Sequence, residues 1–219
     1  MRYAIGDIHG CNKTLKKLLL KLKLTQEDKI IFLGDYIDRG PDSFGVLKTV
    51  TNCPCETIFL KGNHEDLAEV YFKPQSISDD EMWKRNGGDK TLKSIPTKDW
   101  KKWLKWMGKL LYYHEEPDYF LVHAGFNWMG GKNVFKDLDS MLWSRDASPD
   151  MGKPVISGHT PVQLTEIQDL IISYNKNIYI DNGCVFKNFT GLGNLLAFNL
   201  DTRKLIIEKN SEIQKGKSL

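Results

Sequence analysis

The chain has 219 residues, of which 41% are hydrophobic and 27% are charged. This composition is typical of a globular protein with one or at most two domains, and it excludes the disordered and collagen-like classes. Lysine and arginine number 31 against 28 aspartate and glutamate, which gives a formal net charge of +3. So small a net charge does not predict binding to a nucleic acid or to an anionic membrane, because both require a strongly basic face.

Cysteine usage and hydropathy predict the compartment. The four cysteines, which form neither a CxxC pair nor a dense ladder, are Cys11, Cys53, Cys55 and Cys184. We interpret them as thiols of a reducing compartment. No apolar run approaches the roughly eighteen residues that a membrane-spanning helix needs, and polar residues begin at Asp7, too early for a signal-peptide core. The sequence therefore predicts a cytoplasmic protein, and its oligomeric state stays open.

The first half of the chain predicts alternating strands and helices. Short β-branched or aromatic runs, typical of strands, lie at residues 2–5, 29–33, 57–60, 119–122 and 154–157. Leucines at helical spacing predict an amphipathic helix over residues 13–24, with Asn12 as its N-cap. A second helix is expected over residues 44–52. The βαβαβ order predicts parallel strands with right-handed crossovers, whose carboxyl ends gather ligands.

The second half of the chain predicts a different arrangement. Strands expected at residues 178–181, 195–199 and 204–208 follow one another with glycine-rich turns and no helix between them. We therefore expect them to form an antiparallel or mixed second sheet. The remaining residues, 210–219, form a polar tail, so a single domain is expected over residues 1–209.

Residues 74–107 are predicted to be a helical excursion rich in lysine and tryptophan. Trp100, Trp103 and Trp106 recur at a spacing of three, and Trp83 precedes them. The favoured interpretation is one buried helix face. The alternative is a basic, aromatic surface that binds nucleic acid or the leaving group of a substrate.

Each predicted strand of the first half ends in a turn that carries metal-binding chemistry. The five turns are Gly6-Asp7-Ile8-His9-Gly10, Gly34-Asp35-Tyr36-Ile37-Asp38-Arg39-Gly40, Gly62-Asn63-His64-Glu65, His123-Ala124-Gly125 and Gly158-His159-Thr160. Carboxylate and imidazole together suit Zn, Mn or Fe, whereas Ca or Mg would call for oxygen ligands alone. Side chains at i and i+2 of an extended segment point the same way, so Asp7 and His9 can hold one ion.

The number of candidate ligands predicts two metal ions. The six groups are Asp7, His9, Asp35, Asn63, His123 and His159. One open catalytic site uses about three protein ligands, so two ions that share a carboxylate fit this set better. A pair of ions about 3.5–4 Å apart clamps an in-line displacement at phosphorus.

These motifs resemble the phosphoprotein phosphatase family of metallophosphoesterases. GDIHG, GDYIDRG and GNHE match its three signature blocks, and the resemblance runs from Arg2 to about Asp201. His123-Ala124-Gly125 and the Ile180-Asp181-Asn182-Gly183 segment are similar to the compact bacterial and phage branch, which also contains symmetrical diadenosine tetraphosphate hydrolases. The resemblance implies an α+β, calcineurin-like fold in which two mixed sheets form a sandwich flanked by helices.

The resemblance also implies a role for each site residue. The first metal ion would be held by Asp7, His9 and Asp35, and Asp35 would bridge to a second ion completed by Asn63, His123 and His159. His64 would be the general acid, oriented by Asp38. Arg39 and, on a weaker match, Arg145 would hold the substrate phosphate beside Asn63. Glu65 is expected to serve its turn.

The implied activity is that of a serine/threonine protein phosphatase. It would use two divalent ions, Mn²⁺ in the first place with Fe or Zn as alternatives, and a metal-bridging hydroxide would attack the phosphorus of a phosphoprotein or a small phosphoester. Hydrolysis of diadenosine tetraphosphate is the alternative, because the chemistry at phosphorus is the same. A non-catalytic phosphate-binding relative would lack a ligand or the acid, and none is missing here.

Overall fold

The computed structural model describes residues 1–73, 81–131 and 133–212. Residues 74–80 of the predicted helical excursion and 213–219 of the predicted tail therefore lie outside the described residues. Within the described part of the chain, no helix combines the length and the apolar character needed to cross a bilayer.

The first sheet has five strands. They are β1 (Arg2–Ile5), β2 (Lys29–Phe32), β3 (Glu56–Phe59), β8 (Asn194–Asn199) and β9 (Leu205–Lys209). Their order across the sheet is β3-β2-β1-β8-β9. The first three strands are parallel, as the βαβαβ pattern predicts, whereas β8 runs antiparallel to both β1 and β9.

The second sheet has four strands. They are β4 (Tyr113–Glu115), β5 (Phe120–Val122), β6 (Val155–Ser157) and β7 (Asn177–Tyr179). The order is β4-β5-β6-β7, in which β4 is antiparallel to β5 and the other pairs are parallel. Both sheets are thus mixed, as the resemblance implies. Strand β4 has no counterpart among the predicted strands.

The prediction that the last three strands form the second sheet is wrong. Only β7 belongs to that sheet, and β8 and β9 extend the first sheet next to β1. The physical reason is that β1 lies centrally and is buried, so its second edge needs a hydrogen-bonding partner. That partner is β8, which lies almost two hundred residues later in the chain and pairs Asn199 with Tyr3.

Seven α-helices whose two ends both lie in the described residues flank the sheets. They are α1 (Asn12–Leu22), α2 (Ser43–Val50), α3 (Asn63–Phe72), α4 (Asp89–Ser94), α5 (Trp100–Met107), α6 (Leu138–Trp143) and α7 (Leu164–Ile172). A π-helical turn spans Lys84–Gly88, and 3₁₀ turns span Thr97–Asp99 and Cys184–Phe186. Helices α1 and α2 confirm the two helices expected over residues 13–24 and 44–52, whereas α3, α6 and α7 were not predicted.

Asn12 is the first residue of α1 and not its N-cap, a position that Cys11 occupies. The side chain of Asn12 is engaged elsewhere, because its amide donates to Asp42 at 2.7 Å and its oxygen accepts from Thr49 at 2.8 Å. These contacts tie α1 to the start and the end of α2. A long-range contact has therefore replaced the local cap that the sequence predicts.

Three apolar clusters fill the layers between sheets and helices. The central cluster lies between the two sheets and includes Ala4, Ile31, Leu33, Leu121, Ile156 and Phe198. A second covers the first sheet with α1, α2 and the tryptophans, and a third covers the second sheet. Trp100 and Trp103 lie in the second cluster, which confirms the buried-face interpretation.

Candidate metal centre

The five predicted turns meet at the carboxyl ends of the parallel strands of both sheets. Asp7 and His9 follow β1, Asp35 and Asp38 follow β2, Asn63 and His64 begin α3 after β3, His123 follows β5, and His159 follows β6. The side chains form two sets that share Asp35. Within each set, the ligating atoms lie within 4.8 Å of one another. One contains His9 and His64, and the other contains His123 and His159.

The rings of His9 and His123 are oriented by backbone carbonyls. Nδ1 of His9 lies 2.9 Å from the oxygen of Ile37, and Nδ1 of His123 lies 2.9 Å from the oxygen of Leu33. Burial, with the Arg39 guanidinium, lowers the pKa of His9, and burial lowers the pKa of His123, so both rings are neutral at pH 7. Nδ1 therefore carries the proton, and a lone pair remains on Nε2.

The lone pair of His123 faces other electron-pair donors. Nε2 of His123 lies 3.0 Å from Oδ1 of Asn63 and 3.5 Å from a carboxylate oxygen of Asp35. Nε2 of His9 lies 3.4 Å from the other oxygen of Asp35, with the cationic guanidinium of Arg39 at 2.6 Å. Groups that only accept hydrogen bonds repel one another at these distances unless a cation lies among them. The residues around Asp35 therefore fit divalent ions.

The carboxylate of Asp7 is buried, as are the side chains of its predicted partners His9 and Asp35. It accepts the backbone N–H of His159 at 3.1 and 3.2 Å, and no ion pair among the described residues includes it. Burial, then the carboxylates of Asp181 and Asp35, raises the pKa of Asp7. A nearby cation would relieve this crowding of negative charge. The set of ligating atoms that includes His9 and Asp35 contains, however, His64 and not Asp7, which the sequence did not predict.

Asp181 is a buried carboxyl group that the sequence analysis did not assign. It follows β7, is 3% exposed, and accepts the backbone N–H of Gly183 at 2.7 Å. Burial raises the pKa of Asp181 to about 7. Its signal in the sequence is the Asp-Asn-Gly turn after an apolar run, which repeats the pattern of the five predicted turns.

His64 and Asp38 form the pair that the resemblance implies. Nδ1 of His64 lies 2.6 Å from Oδ2 of Asp38, and both side chains are buried. Nε2 of His64 has no hydrogen-bond partner among the described residues, and it lies 4.0 Å from Asp35. The ring thus presents a buried, unengaged nitrogen to the centre of the site.

Glu65 holds the turn that carries Asp35. Its carboxylate accepts the backbone N–H groups of Asp35 at 2.9 Å, Tyr36 at 3.0 Å, Gly62 at 3.1 Å and Ile37 at 3.3 Å. Charged acceptors make the stronger class of hydrogen bond, and here one side chain satisfies four buried donors. The structure confirms that Glu65 serves its turn.

Backbone strain is concentrated in the same turns. Positive φ angles occur at His9 (46°), Asp35 (50°), Asp38 (72°), Arg39 (61°) and His159 (68°). Residues with side chains adopt this region at a cost, and they keep it where the surroundings fix them. Close packing is part of the reason, because a Cβ on Gly34, at φ +109°, would lie 2.6 Å from the nitrogen of Gly62.

The two predicted phosphate arginines lie at different sides of the site. Nη1 of Arg39 lies 2.6 Å from Nε2 of His9, and its guanidinium carbon is 5.6 Å from the ring centre of Phe186. Arg145 is exposed and lines a cavity of about 190 Å³ with Ala124 and Gly158, which flank the two histidines of the second sheet. Arg39 therefore contacts the His9 side of the site, and Arg145 lies beside the turns of His123 and His159.

Comparison with known proteins identifies relatives with two different substrates. Serine/threonine-protein phosphatase 2 of Salmonella typhimurium is 31% identical over 201 residues, which cover 83% of this chain and 86% of that protein. A symmetrical bis(5'-nucleosyl)-tetraphosphatase of Nitrosomonas europaea is 32% identical over 129 residues, which cover 58% of this chain and 46% of that protein. The chain thus spans less than half the length of this tetraphosphatase.

A solved structure shares the fold. The crystal structure of a candidate diadenosine tetraphosphatase superposes with a TM-score of 0.65 at 20% sequence identity, covering 98% of this chain and 94% of the other. The sequence profile described as "Calcineurin-like phosphoesterase" matches residues 3–188. These findings confirm the fold and the family that the motifs predict. The chain belongs to the calcineurin-like phosphoesterase family.

Proposed function

We propose that the chain is a dinuclear-metal-dependent phosphatase that hydrolyses phosphoserine or phosphothreonine in proteins. The observation that carries the proposal is the cluster of lone pairs around Asp35, directly beside the buried pair of His64 and Asp38. The cluster of lone pairs fits bound cations, and the pair of His64 and Asp38 can transfer one proton. Both features serve the hydrolysis of an alkyl phosphate monoester, whose phosphate is polarised by cations and whose leaving alkoxide takes up a proton.

Two divalent ions, Mn²⁺ before Fe or Zn, are proposed to bind this cluster. The proposed ligands are Asp7, His9 and Asp35 for the first ion and Asp35, Asn63, His123 and His159 for the second. Bound there, the ions would polarise the phosphate and lower the pKa of water at the site. Asp7 is preferred over His64 as a ligand because its carboxylate is buried near two others and gains most from a positive charge.

His64 is proposed to donate the proton that the leaving oxygen needs. Its Nδ1 is held by Asp38, which fixes the orientation of the ring, and Nε2 has no other partner among the described residues. Such acid catalysis is worth about 10²–10⁴ in rate. Arg39, Arg145 and the amide of Asn63 would orient the phosphate, and the planar fork of arginine suits two of its oxygens.

The extent of the similarity supports a phosphoprotein substrate. The match to the Salmonella phosphatase runs along most of both chains, whereas the tetraphosphatase match leaves more than half of that protein without a counterpart. Hydrolysis of diadenosine tetraphosphate remains the second candidate, because relatives with that activity are equally similar where they match.

The substrate is tested by comparing turnover of three compounds by the Mn²⁺-loaded protein. We expect the phosphothreonine peptide and an arylphosphate to be hydrolysed and diadenosine tetraphosphate to be a poor substrate. A dominant rate on the dinucleotide would replace the substrate proposal and leave the metal chemistry standing. No turnover of any of the three would reject the proposed function.

The role of His64 is tested by the His64→Asn variant. We expect kcat for the phosphothreonine peptide to fall by about 10²–10⁴. The loss should be much smaller for p-nitrophenyl phosphate, because its leaving group departs without protonation. Steady-state kinetics on both substrates checks this, and equal losses would exclude His64 as the acid.

A further inference from the structure

We infer that Trp83 and Thr91 are positioning residues that fix the carboxylate of Asp38 and, through it, the ring of His64. The inference rests on the proposed role of His64 as the acid. Both residues belong to the segment 81–94, called here the clamp segment, which contains the π-helical turn Lys84–Gly88 and α4. Sequence analysis assigned this part of the chain only a buried aromatic face or a binding surface.

The carboxylate of Asp38 is held at both oxygens by side chains of the clamp segment. Nε1 of Trp83 donates to Oδ2 at 2.7 Å, and the hydroxyl of Thr91 donates to Oδ1 at 2.6 Å. Oδ2 is the oxygen that also faces Nδ1 of His64 at 2.6 Å. The carboxylate therefore cannot rotate without breaking hydrogen bonds to two fixed donors.

The Thr91 hydroxyl connects the carboxylate to its own backbone. It accepts the N–H of Asp38 at 2.9 Å while it donates to Oδ1, and the hydroxyl of Ser43 lies 2.9 Å away. Asp38 has a φ of 72°, a conformation that a residue with a side chain keeps only when its surroundings fix it. Thr91 thus stabilises both the strained backbone and the side chain that serves His64.

The clamp segment also grips the next residue of the turn. Nζ of Lys90 donates to the carbonyl of Arg39 at 2.6 Å. Gly87 has a φ of +106°, and a Cβ there would lie 2.6 Å from the nitrogen of Arg39. The segment is therefore built to lie directly against the two residues that are proposed to orient the acid and the phosphate.

Packing alone does not account for an indole at position 83. The ring of Trp83 is fully buried against Tyr71 and Trp100, at ring-centre distances of 4.9 and 6.0 Å. A phenylalanine would also fill much of this space, but it would leave Oδ2 of Asp38 with one donor fewer. Trp103 provides the contrast, because it is equally buried and its Nε1 has no partner among the described residues.

The test compares Trp83→Phe with Trp103→Phe, and Thr91→Val with Thr91→Ser. The two tryptophan variants lose the same volume, Thr91→Val keeps the shape of the side chain, and Thr91→Ser keeps its hydroxyl, so only Trp83→Phe and Thr91→Val remove a donor to Asp38. We expect these two variants to lower kcat for the phosphothreonine peptide about tenfold, the size of one hydrogen bond to a charged group. KM and the turnover of p-nitrophenyl phosphate should change little, and Trp103→Phe and Thr91→Ser should resemble the wild type.

Proton NMR of the metal-free protein gives a readout that does not depend on turnover. The Nδ1 proton of His64, assigned by its loss in His64→Asn, should resonate far downfield because its hydrogen bond to Asp38 is short. We expect the signal to shift or broaden in Trp83→Phe and Thr91→Val and to stay in place in the two controls.

Three outcomes would overturn the inference. They are wild-type kinetics in Trp83→Phe and Thr91→Val, equal losses on both substrates, and an unchanged His64 signal. Failure of the proposed function has a different signature, because the wild type would then hydrolyse no phosphoester while the NMR comparison would still report the contact.

Discussion

The strand-end turns and the clamp segment supply different kinds of groups to one site. The turns contribute carboxylates, imidazoles and an arginine, whereas the clamp segment contacts the same turns with an indole N–H, a hydroxyl and one ammonium group directed at a backbone carbonyl. Neutral donors hold a carboxylate in place without adding a charge that would oppose the binding of cations. The charged groups are thus placed by the sheets, and their orientation is set by a segment that is distant in sequence.

The largest effect is expected where the two sets of ligating atoms meet, in the turn after β2. Asp35→Asn removes the negative charge that both sets share, so we expect metal affinity to fall by more than the roughly 10–100-fold typical of outer-shell changes. Turnover should fall with it. Calorimetric titration with Mn²⁺ measures the affinity and the number of ions bound.

Asp150→Asn is the matched control for Asp35→Asn, because Asp150 is exposed and pairs with Lys176 at the surface. It should bind metal as the wild type does. Two ions bound with unchanged affinity by Asp35→Asn would show that the turns do not share a ligand, and the proposed centre would have to be rebuilt.

An intermediate effect is expected in the clamp segment. In Gly87→Ala, a positive φ and a collision with the Arg39 backbone act together, so we expect the free energy of unfolding to fall by about 3 kcal/mol. Gly152→Ala is the control, since Gly152 has a φ of +80° and open space around it, and about 1 kcal/mol is expected there. Urea denaturation measures both.

Equal losses of unfolding free energy in these two variants would mean that the clamp segment moves away from the Arg39 backbone without destabilising the fold. The clamp segment would then not be needed to hold the strand-end turns in their conformation. A larger loss of unfolding free energy in Gly87→Ala than in Gly152→Ala, accompanied by weaker phosphate binding, would support a role of the clamp segment in fixing Arg39.

A pH-dependent effect is expected at Asp181, which follows β7 in a turn like the five predicted ones. Burial raises its folded-state pKa to about 7, above the ordinary value of 3.8, so the folded state binds more protons between these values. The stability of the metal-free protein should therefore fall as pH rises from about 4 to about 7.

Asp181→Asn should remove this part of the pH dependence. Thermal unfolding of the metal-free proteins at pH 5 and pH 8 checks it, with Asp150→Asn expected to follow the wild type because the lowered pKa of Asp150 keeps it ionised at both values. If the stability of Asp181→Asn changed with pH as much as that of the wild type, Asp181 would not be the source of this pH dependence.

Much of the site follows from local patterns in the sequence. Asp7 and His9 stand two residues apart after an apolar run, and the other candidate ligands also follow predicted strands. The spacing of polar groups within a turn and the alternation of strands with helices are short-range properties, so residue order is enough to predict them. The family resemblance extended this to the sandwich of two mixed sheets.

The tertiary structure decided which distant segments share one surface. Trp83 and Thr91 contact Asp38 across 45 and 53 residues, and β8 pairs with β1 from the other end of the chain. Nothing in the composition of the clamp segment distinguishes the indole that holds a carboxylate from Trp103, which only packs. The sequence by itself determined the groups and their local geometry. Long-range packing decided their orientation, because hydrogen bonds between distant residues depend on positions that only the folded core fixes.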